Sequence, residues 1–138
     1  MVKTTKSPAK KTARKPAKVK DQSKQLADLV VSGMQEKKAE EIVSLDLRNL
    51  KNAVADYFVI CHAESRPQIE AIARSVEEVV QRNSNDKPYH KEGFENAEWI
   101  LLDYVNVVVH IFNHEKRDFY GIERLWADAD IKRIAGNY

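Results

Sequence analysis

A β-hairpin is predicted by residues 99–112, WILLDYVNVVVHIF. Two runs rich in β-branched, aliphatic and aromatic residues flank the pair Val105-Asn106, which is the pattern of two strands joined by a short turn. If the loop holds two residues, one face of the hairpin is wholly apolar. Its facing pairs are Tyr104 with Val107, Leu102 with Val109, and Ile100 with Ile111. We expect this face to lie in the core, because alternate residues of a strand point to the same side of a sheet.

The opposite face of the hairpin is mixed. It pairs Asp103 with Val108, Leu101 with His110, and Trp99 with Phe112. Aromatic residues beside a few polar groups are typical of the centre of a protein interface. The alternative is that a helix covers this face and His110 is merely hydrogen-bonded, since apolar strand residues are usually packed. The register itself depends on the turn, where Val105 fits poorly because tight hairpin turns need a positive φ.

Helices and further strands are predicted on both sides of the hairpin. Apolar residues at helical spacing mark the helices, and Ser65 with Gln68 forms a capping box beside Pro67 at the start of one of them. The predicted elements are a helix over about residues 23–38, strands over 42–47 and 56–62, a helix beginning after Ser65, and a helix from about Arg117. Mixed helices and strands of this length indicate a small α/β domain.

The N-terminus differs in charge from the rest of the chain. Residues 1–20 carry 8 basic side chains and no acidic one, which leaves 15 basic against 21 acidic side chains in the remainder. We expect a disordered basic tail over residues 1–22 and one domain over residues 23–138, because the tail has almost no large apolar side chains. The tail is either a solubilising extension or a contact for RNA phosphates. The side chains predicted for that contact are Lys10, Lys11, Arg14 and Lys15.

Catalytic and metal sites are not indicated by the sequence. The single cysteine, Cys61, lies in an apolar strand and is expected to be an inert core residue. His110 and His114 lie four residues apart, but no third ligand at a characteristic spacing accompanies them. Asp128 and Asp130 lack a phosphate-cradling loop upstream and are interpreted as a solvated helix end. We therefore expect no metal, no cofactor and no catalytic residue, and no apolar run approaches the roughly 20 residues of a membrane span.

Three stretches of the chain resemble the ribosomal silencing factor family, also called Iojap-like. They are DYFVICHAES at 56–65, EGFENAEWILLDYVNVVVHIF at 92–112 and RDFYGIERLWADA at 117–129. The resemblance covers about residues 24–130, with the segments in matching order. It implies an α/β fold with a mixed β-sheet and flanking helices, like that of nucleotidyltransferases but without their catalytic residues.

The same resemblance implies a function. Members of the family bind the large ribosomal subunit through its fourteenth protein, block its association with the small subunit, and so repress translation when nutrients are scarce. It further implies a cytoplasmic protein that is a homodimer when free. The alternatives are a large-subunit assembly factor, a residual nucleotidyltransferase-like enzyme, and an RNA-binding module that uses the tail.

Motif and strand parity together predict the partner-binding residues. They are Trp99, Leu101, Asp103, His110, Phe112, Arg117, Tyr120, Glu123 and Trp126. Asp103 and Glu123 are expected to face cationic side chains of the partner. Two positions depart from the family pattern. Val105-Asn106 replaces Gly-Asp in the hairpin turn, and His62-Ala63 replaces Ser-Gly, which we interpret as a local loop change.

Overall fold

A single mixed sheet organises the chain, whose computed structural model describes residues 17–134. The elements in chain order are α1 Ala17–Glu36, β1 Glu40–Asp46, β2 Tyr57–Ala63, α2 Arg66–Ser84, β3 His90–Glu92, β4 Trp99–Asp103, β5 Val107–Asn113, α3 His114–Tyr120, α4 Ile122–Leu125 and β6 Asp130–Arg133. The six strands lie in the order β3-β4-β5-β2-β1-β6. Among the described helices, none combines the length and the apolar character needed to cross a membrane.

The centre of the sheet is the parallel pair of β2 and β5. The other neighbouring strands are antiparallel. Every residue of β2 is buried, as expected for a strand that is covered on both faces. The predicted α/β fold with a mixed sheet and flanking helices is therefore confirmed.

Two long helices, α1 and α2, cover one face of the sheet. Their apolar residues pack on the face that carries Cys61 and Ile111. The helices approach closely at Gly33, where an added Cβ would lie 2.7 Å from the Cα of Val76. Ser75 Oγ donates a hydrogen bond to the carbonyl oxygen of Gly33 at 2.7 Å. This close crossing places the main core on one side of the sheet.

The second face of the sheet is covered by much shorter elements. It carries a separate apolar cluster that includes Phe58, Phe112 and Ile122. The cover comes from the C-terminal segment, in which α3 and α4 are one or two turns long. The edge of this face toward β4 stays partly open, since Trp99 and Leu101 are only partly buried. The fold thus leaves one sheet face incompletely covered.

Two predictions about local structure are confirmed. The hairpin of β4 and β5 has the predicted register, with Trp99 opposite Phe112 and Leu101 opposite His110. Ser65 caps α2, and its Oγ accepts a hydrogen bond from the backbone N–H of Gln68 at 3.3 Å. The two-residue loop therefore divides the hairpin into the predicted core face and outer face.

Several predicted boundaries are wrong. Helix α1 begins at Ala17, whereas the sequence predicts its start near residue 23; residues 1–16, with the four predicted RNA contacts, lie outside the described residues. The helix predicted from about Arg117 is α3, which begins at His114 and is capped by Asn113, whose side chain accepts from the Glu115 N–H. Strands β3 and β6 were not predicted. Asp130 is the first residue of β6, an edge strand that pairs with β1, whereas the sequence interpretation placed it at the end of a helix.

The hairpin turn is strained at Val105. This residue has a φ of 76°, and the N–H of Asn106 donates to the carbonyl oxygen of Tyr104 at 2.9 Å. Such a γ-turn with positive φ is rare and strained for a β-branched residue. The Asp103 carboxylate accepts a hydrogen bond from the Val105 N–H at 2.8 Å. This bond partly offsets the strain of the positive φ. Glycine would adopt this positive φ without steric cost.

We predict that Val105→Gly raises the free energy of unfolding by about 1 kcal/mol, because relief of the strained φ outweighs the added flexibility of the unfolded chain. Urea denaturation measures this change. The control is Val54→Gly: Val54 is 77% exposed and is not among the residues with positive φ, so this change should lower stability by about 0.5 kcal/mol. A loss of stability in Val105→Gly would contradict the account of the turn.

Candidate docking surface

An aromatic cluster lies where the open edge of the second face meets α3. It consists of Trp99, Phe112, Phe119 and Tyr120. The ring centroids of Trp99 lie 5.1 Å from Phe112 and 4.7 Å from Tyr120, and Tyr120 contacts Phe119 edge-on at 5.2 Å. Exposure rises along this series, from the buried Phe112 to Tyr120 at 37% and Phe119 at 75%. The cluster therefore runs from the core to the solvent.

Large apolar side chains are exposed on α3 and α4, and the Lys116 ammonium lies 5.5 Å from the centroid of one of them, the Phe119 ring. Phe119 on α3 and Leu125 on α4, which is 76% exposed, both present large apolar side chains to solvent. Leu101 lies on the same face as Trp99, two residues along β4. Neighbouring apolar groups that are left exposed mark protein interaction sites in soluble proteins. We call Trp99, Leu101, Phe119 and Tyr120 the docking surface.

His110 lies directly beneath this surface. Trp99 Nε1 donates a hydrogen bond to His110 Nδ1 at 3.0 Å. The imidazole is 3% exposed, and burial lowers the pKa of His110 to about 3. The ring is therefore neutral near pH 7. It supports the indole from inside the domain and offers no surface of its own.

Arg117 fixes α3 and α4 against the sheet. Its Nε and Nη2 donate to the two carboxylate oxygens of Glu123, each at 3.0 Å. Its Nη1 lies 2.7 Å from the carbonyl oxygen of Glu41 and 2.9 Å from His62 Nδ1. The hydrogen bonds from Arg117 lower the pKa of Glu123. The guanidinium, in a residue only 8% exposed, thus connects α3 to α4, β1 and β2.

His62 completes the environment of Arg117. Because a guanidinium only donates, Nδ1 of His62 accepts and the proton lies on Nε2, which is 3.3 Å from a carboxylate oxygen of Glu40. Burial lowers the pKa of His62, and the charges of Arg117 and His114 lower it further. The interpretation of His62-Ala63 as a local loop change is therefore wrong. It lies at the end of β2 and takes part in holding α3.

An open groove of about 790 Å³ runs beside these groups, lined by residues that include Glu40, His62, His114 and Arg133. Within residues 17–134, no group of three or more histidine, cysteine or carboxylate side chains could hold a metal ion. Cys61 is buried, and burial raises the pKa of its thiol to about 12. A thiol of that pKa is a poor nucleophile at neutral pH.

Comparison with known proteins identifies a family whose sequence pattern this chain matches. A family model described as "Ribosomal silencing factor during starvation" matches residues 20–137. The chain belongs to the ribosomal silencing factor family.

Individual relatives agree with the family model. Ribosomal silencing factor RsfS of Bacillus subtilis is 39% identical over 109 residues, which cover 78% of this chain and 90% of that protein. RsfS of Halalkalibacterium halodurans is 37% identical over 114 residues, covering 83% of this chain and 96% of that protein. A solved structure from Chromobacterium violaceum superposes with a TM-score of 0.71 at 28% identity, and the match covers 83% of this chain and 93% of that one.

The structure brings together only some of the site residues predicted from the family pattern. Trp99, Phe112 and Tyr120 are in contact, and Leu101 lies beside them. Trp126 packs edge-on against Phe58, with ring centroids 5.9 Å apart. Trp126 therefore belongs to the segment that covers the second face, and its ring packs against the sheet.

Three predicted contact residues are buried in the ribosomal silencing factor domain. His110, Phe112 and Arg117 were expected at the surface and are buried. His110 and Phe112 lie among neighbouring aromatic rings, and Arg117 is enclosed by its hydrogen-bonding partners. Glu123 was expected to face a cation of the partner, and it faces Arg117 instead. Asp103 stands beside the hairpin turn, where the Val105 N–H occupies one of its oxygens.

Two exposed side chains, Phe119 and Leu125, are absent from the predicted site. The sequence places them on one continuous apolar helix face with Ile122 and Trp126. Gly121 instead adopts a left-handed conformation with φ 59° and separates α3 from α4. The glycine directly after Phe119-Tyr120 is the sequence signal for this break. The break leaves Phe119 and Leu125 in solvent while Ile122 enters the core.

We predict that Arg117→Lys lowers the free energy of unfolding by about 2–4 kcal/mol, because an ammonium cannot replace the forked guanidinium and leaves Glu123 without its pair. Thermal and urea denaturation measure the loss. The matched control is Arg124→Lys, which alters an exposed guanidinium that donates to the Asp118 carbonyl oxygen and should change stability by less than about 0.5 kcal/mol. Equal effects of the two substitutions would show that Arg117 does not hold the helices.

Proposed function

We propose that this protein binds the large ribosomal subunit through its fourteenth protein and blocks the joining of the small subunit. The result is lower translation when nutrients are scarce. The action is steric and not enzymatic, and it takes place in the cytoplasm. The observation that carries the proposal is the docking surface itself: an exposed aromatic surface held by a buried guanidinium, in a chain of the ribosomal silencing factor family.

Carboxylates on the β4 side of the docking surface favour a basic protein partner, while the Lys116 ammonium lies over the Phe119 ring on its α3 side. Glu92, Glu95 and Glu98 are exposed and lie in β3 and in the loop that leads into Trp99. Carboxylates repel RNA phosphates and attract basic side chains. Ribosomal proteins are a source of such side chains on the subunit. We therefore assign the docking surface to a basic protein face and not to ribosomal RNA.

A second copy of the chain is a further partner of the same region. Phe119 and Leu125 leave apolar side chains in solvent, which a homodimer would cover. We infer that the free protein is a homodimer that uses this region. Binding to the subunit would then compete with dimerisation, and the dimer would dissociate when large subunits are added.

We predict that Tyr120→Ala weakens binding to the large subunit by about tenfold, since aromatic residues at the centre of an interface contribute more than about 1 kcal/mol. The measurement is cosedimentation with purified subunits. Tyr89→Ala serves as the control, because Tyr89 is 82% exposed and lies just before the edge strand β3; it should bind as the wild type does. Wild-type protein that sediments with neither subunit would overturn the proposed function.

An assay of subunit joining with the same purified subunits distinguishes silencing from assembly. Wild-type protein is expected to prevent the joining of purified subunits, whereas Tyr120→Ala should permit it at the same concentration. Binding to the large subunit without any effect on joining would favour the alternative of a large-subunit assembly factor. Circular dichroism of Tyr120→Ala verifies that the domain remains folded.

Contact between the basic tail and ribosomal RNA is a separate proposal. We infer that Lys10, Lys11, Arg14 and Lys15 contact ribosomal RNA phosphates beside the docked domain. Deletion of residues 1–16, which stops at the start of α1, should make the salt dependence of binding shallower. In a plot of log affinity against log salt, the slope should fall by about 0.7 for each phosphate that the tail neutralises. The control replaces these four residues with glutamine and keeps the tail length. An unchanged slope in both variants would reject the contact.

A further inference from the structure

His110 is a buried polar residue with an unusual hydrogen-bonding state. Its Nδ1 accepts from Trp99 Nε1. Its Nε2 is buried and has no hydrogen-bonding partner within the part of the chain that the structure describes. Because an indole N–H only donates, Nδ1 carries no proton and the neutral ring has its proton on Nε2. One buried donor of His110 is therefore left unsatisfied.

Packing alone does not account for a histidine at this position. Its neighbours are rings: Phe58 lies edge-on at 4.7 Å and Phe112 is stacked at 6.4 Å. A phenylalanine would fill the same space without the cost of a buried, unpaired N–H. A polar group that costs stability and has one good partner is best explained by that partner. For His110 the partner is Trp99.

The bond removes the only polar group of the Trp99 side chain from the surface. The indole N–H points inward to His110, while the ring rests on Phe112 and Tyr120. Burial keeps the pKa of His110 far below neutrality, so Nδ1 stays an acceptor. The indole is thus held in one orientation before any partner arrives, which reduces the entropy cost of binding.

We propose that His110 is the positioning residue of the docking surface, and that it selects a partner group without a hydrogen-bond acceptor. The group that fits is the aliphatic stem and cationic head of a lysine or arginine on a basic protein surface, since exposed Glu92 lies opposite Leu101 in the sheet and exposed Glu98 directly precedes Trp99, and aromatic rings attract cations. This inference rests on the proposed function.

The free protein provides the first test, which does not involve the ribosome. Nuclear magnetic resonance follows hydrogen exchange of the Trp99 indole N–H, assigned with the help of Trp126→Phe. In His110→Phe, which keeps the ring and removes the acceptor, we expect exchange at least about tenfold faster than in the wild type, because the N–H loses its buried partner. An unchanged exchange rate would overturn the positioning role, whatever the ribosome does.

A double-mutant cycle provides the second test, with affinity for the purified large subunit as the readout. His110→Phe is expected to weaken binding by about five- to tenfold in the wild type and less than about twofold in Trp99→Phe, because His110 acts through Trp99. Equal losses in both backgrounds would overturn the proposal. His110→Asn, which returns an acceptor close to the position of Nδ1, should restore part of the affinity.

A destabilised control separates positioning from general loss of structure. Val109→Ala opens a cavity on the opposite face of β5, where Val109 is fully buried, and should lower stability without changing affinity by more than about twofold. If it weakens binding as much as His110→Phe, the effect is not specific to Trp99.

Photo-cross-linking from benzoylphenylalanine at Phe119 should label a ribosomal protein; a label on RNA alone would overturn the choice of a basic protein partner.

Discussion

A buried guanidinium holds the C-terminal helices on the sheet. Arg117 bonds Glu123 of α4, the backbone of β1 and His62 of β2. Helices of 7 and 4 residues are too short to be stable by their own propensity, since isolated helices below about 12 residues are marginal in water. Their position therefore depends on tertiary contacts, and Arg117 supplies directional ones. Arg117 therefore also fixes the position of the exposed rings of Phe119 and Tyr120 on α3.

The docking surface has two supports of different kinds. Arg117 fixes the helix that carries Phe119 and Tyr120, and His110 fixes the strand residue Trp99 from beneath. Both supports are buried, and both use hydrogen bonds whose geometry is directional. A surface prepared in this way loses little entropy when a partner binds. This arrangement suits a protein whose proposed task is to occupy a face of the ribosome and exclude another subunit.

Sequence patterns predicted the hairpin well and the covering segment poorly. Alternation along β4 and β5 determines which residues face the core, so the pairing of Trp99 with Phe112 follows from local chemistry. The burial of Arg117 depends on where α3 lies, and that depends on contacts between residues distant in the chain, such as Arg117 with His62. The burial of His110 depends likewise on the ring of the distant Phe58. The edge strand β6 likewise forms through pairing with the distant β1, which periodicity in Asp130–Arg133 does not indicate.

Hydrogen–deuterium exchange of the protein bound to purified large subunits tests the central claim most directly. We expect new protection in β4 and in residues 114–125, where the docking surface and its supporting helices lie, with little change in α1 and α2 on the opposite face. Protection confined to α1 and α2, with β4 and α3 exchanging as in the free protein, would contradict this docking mode.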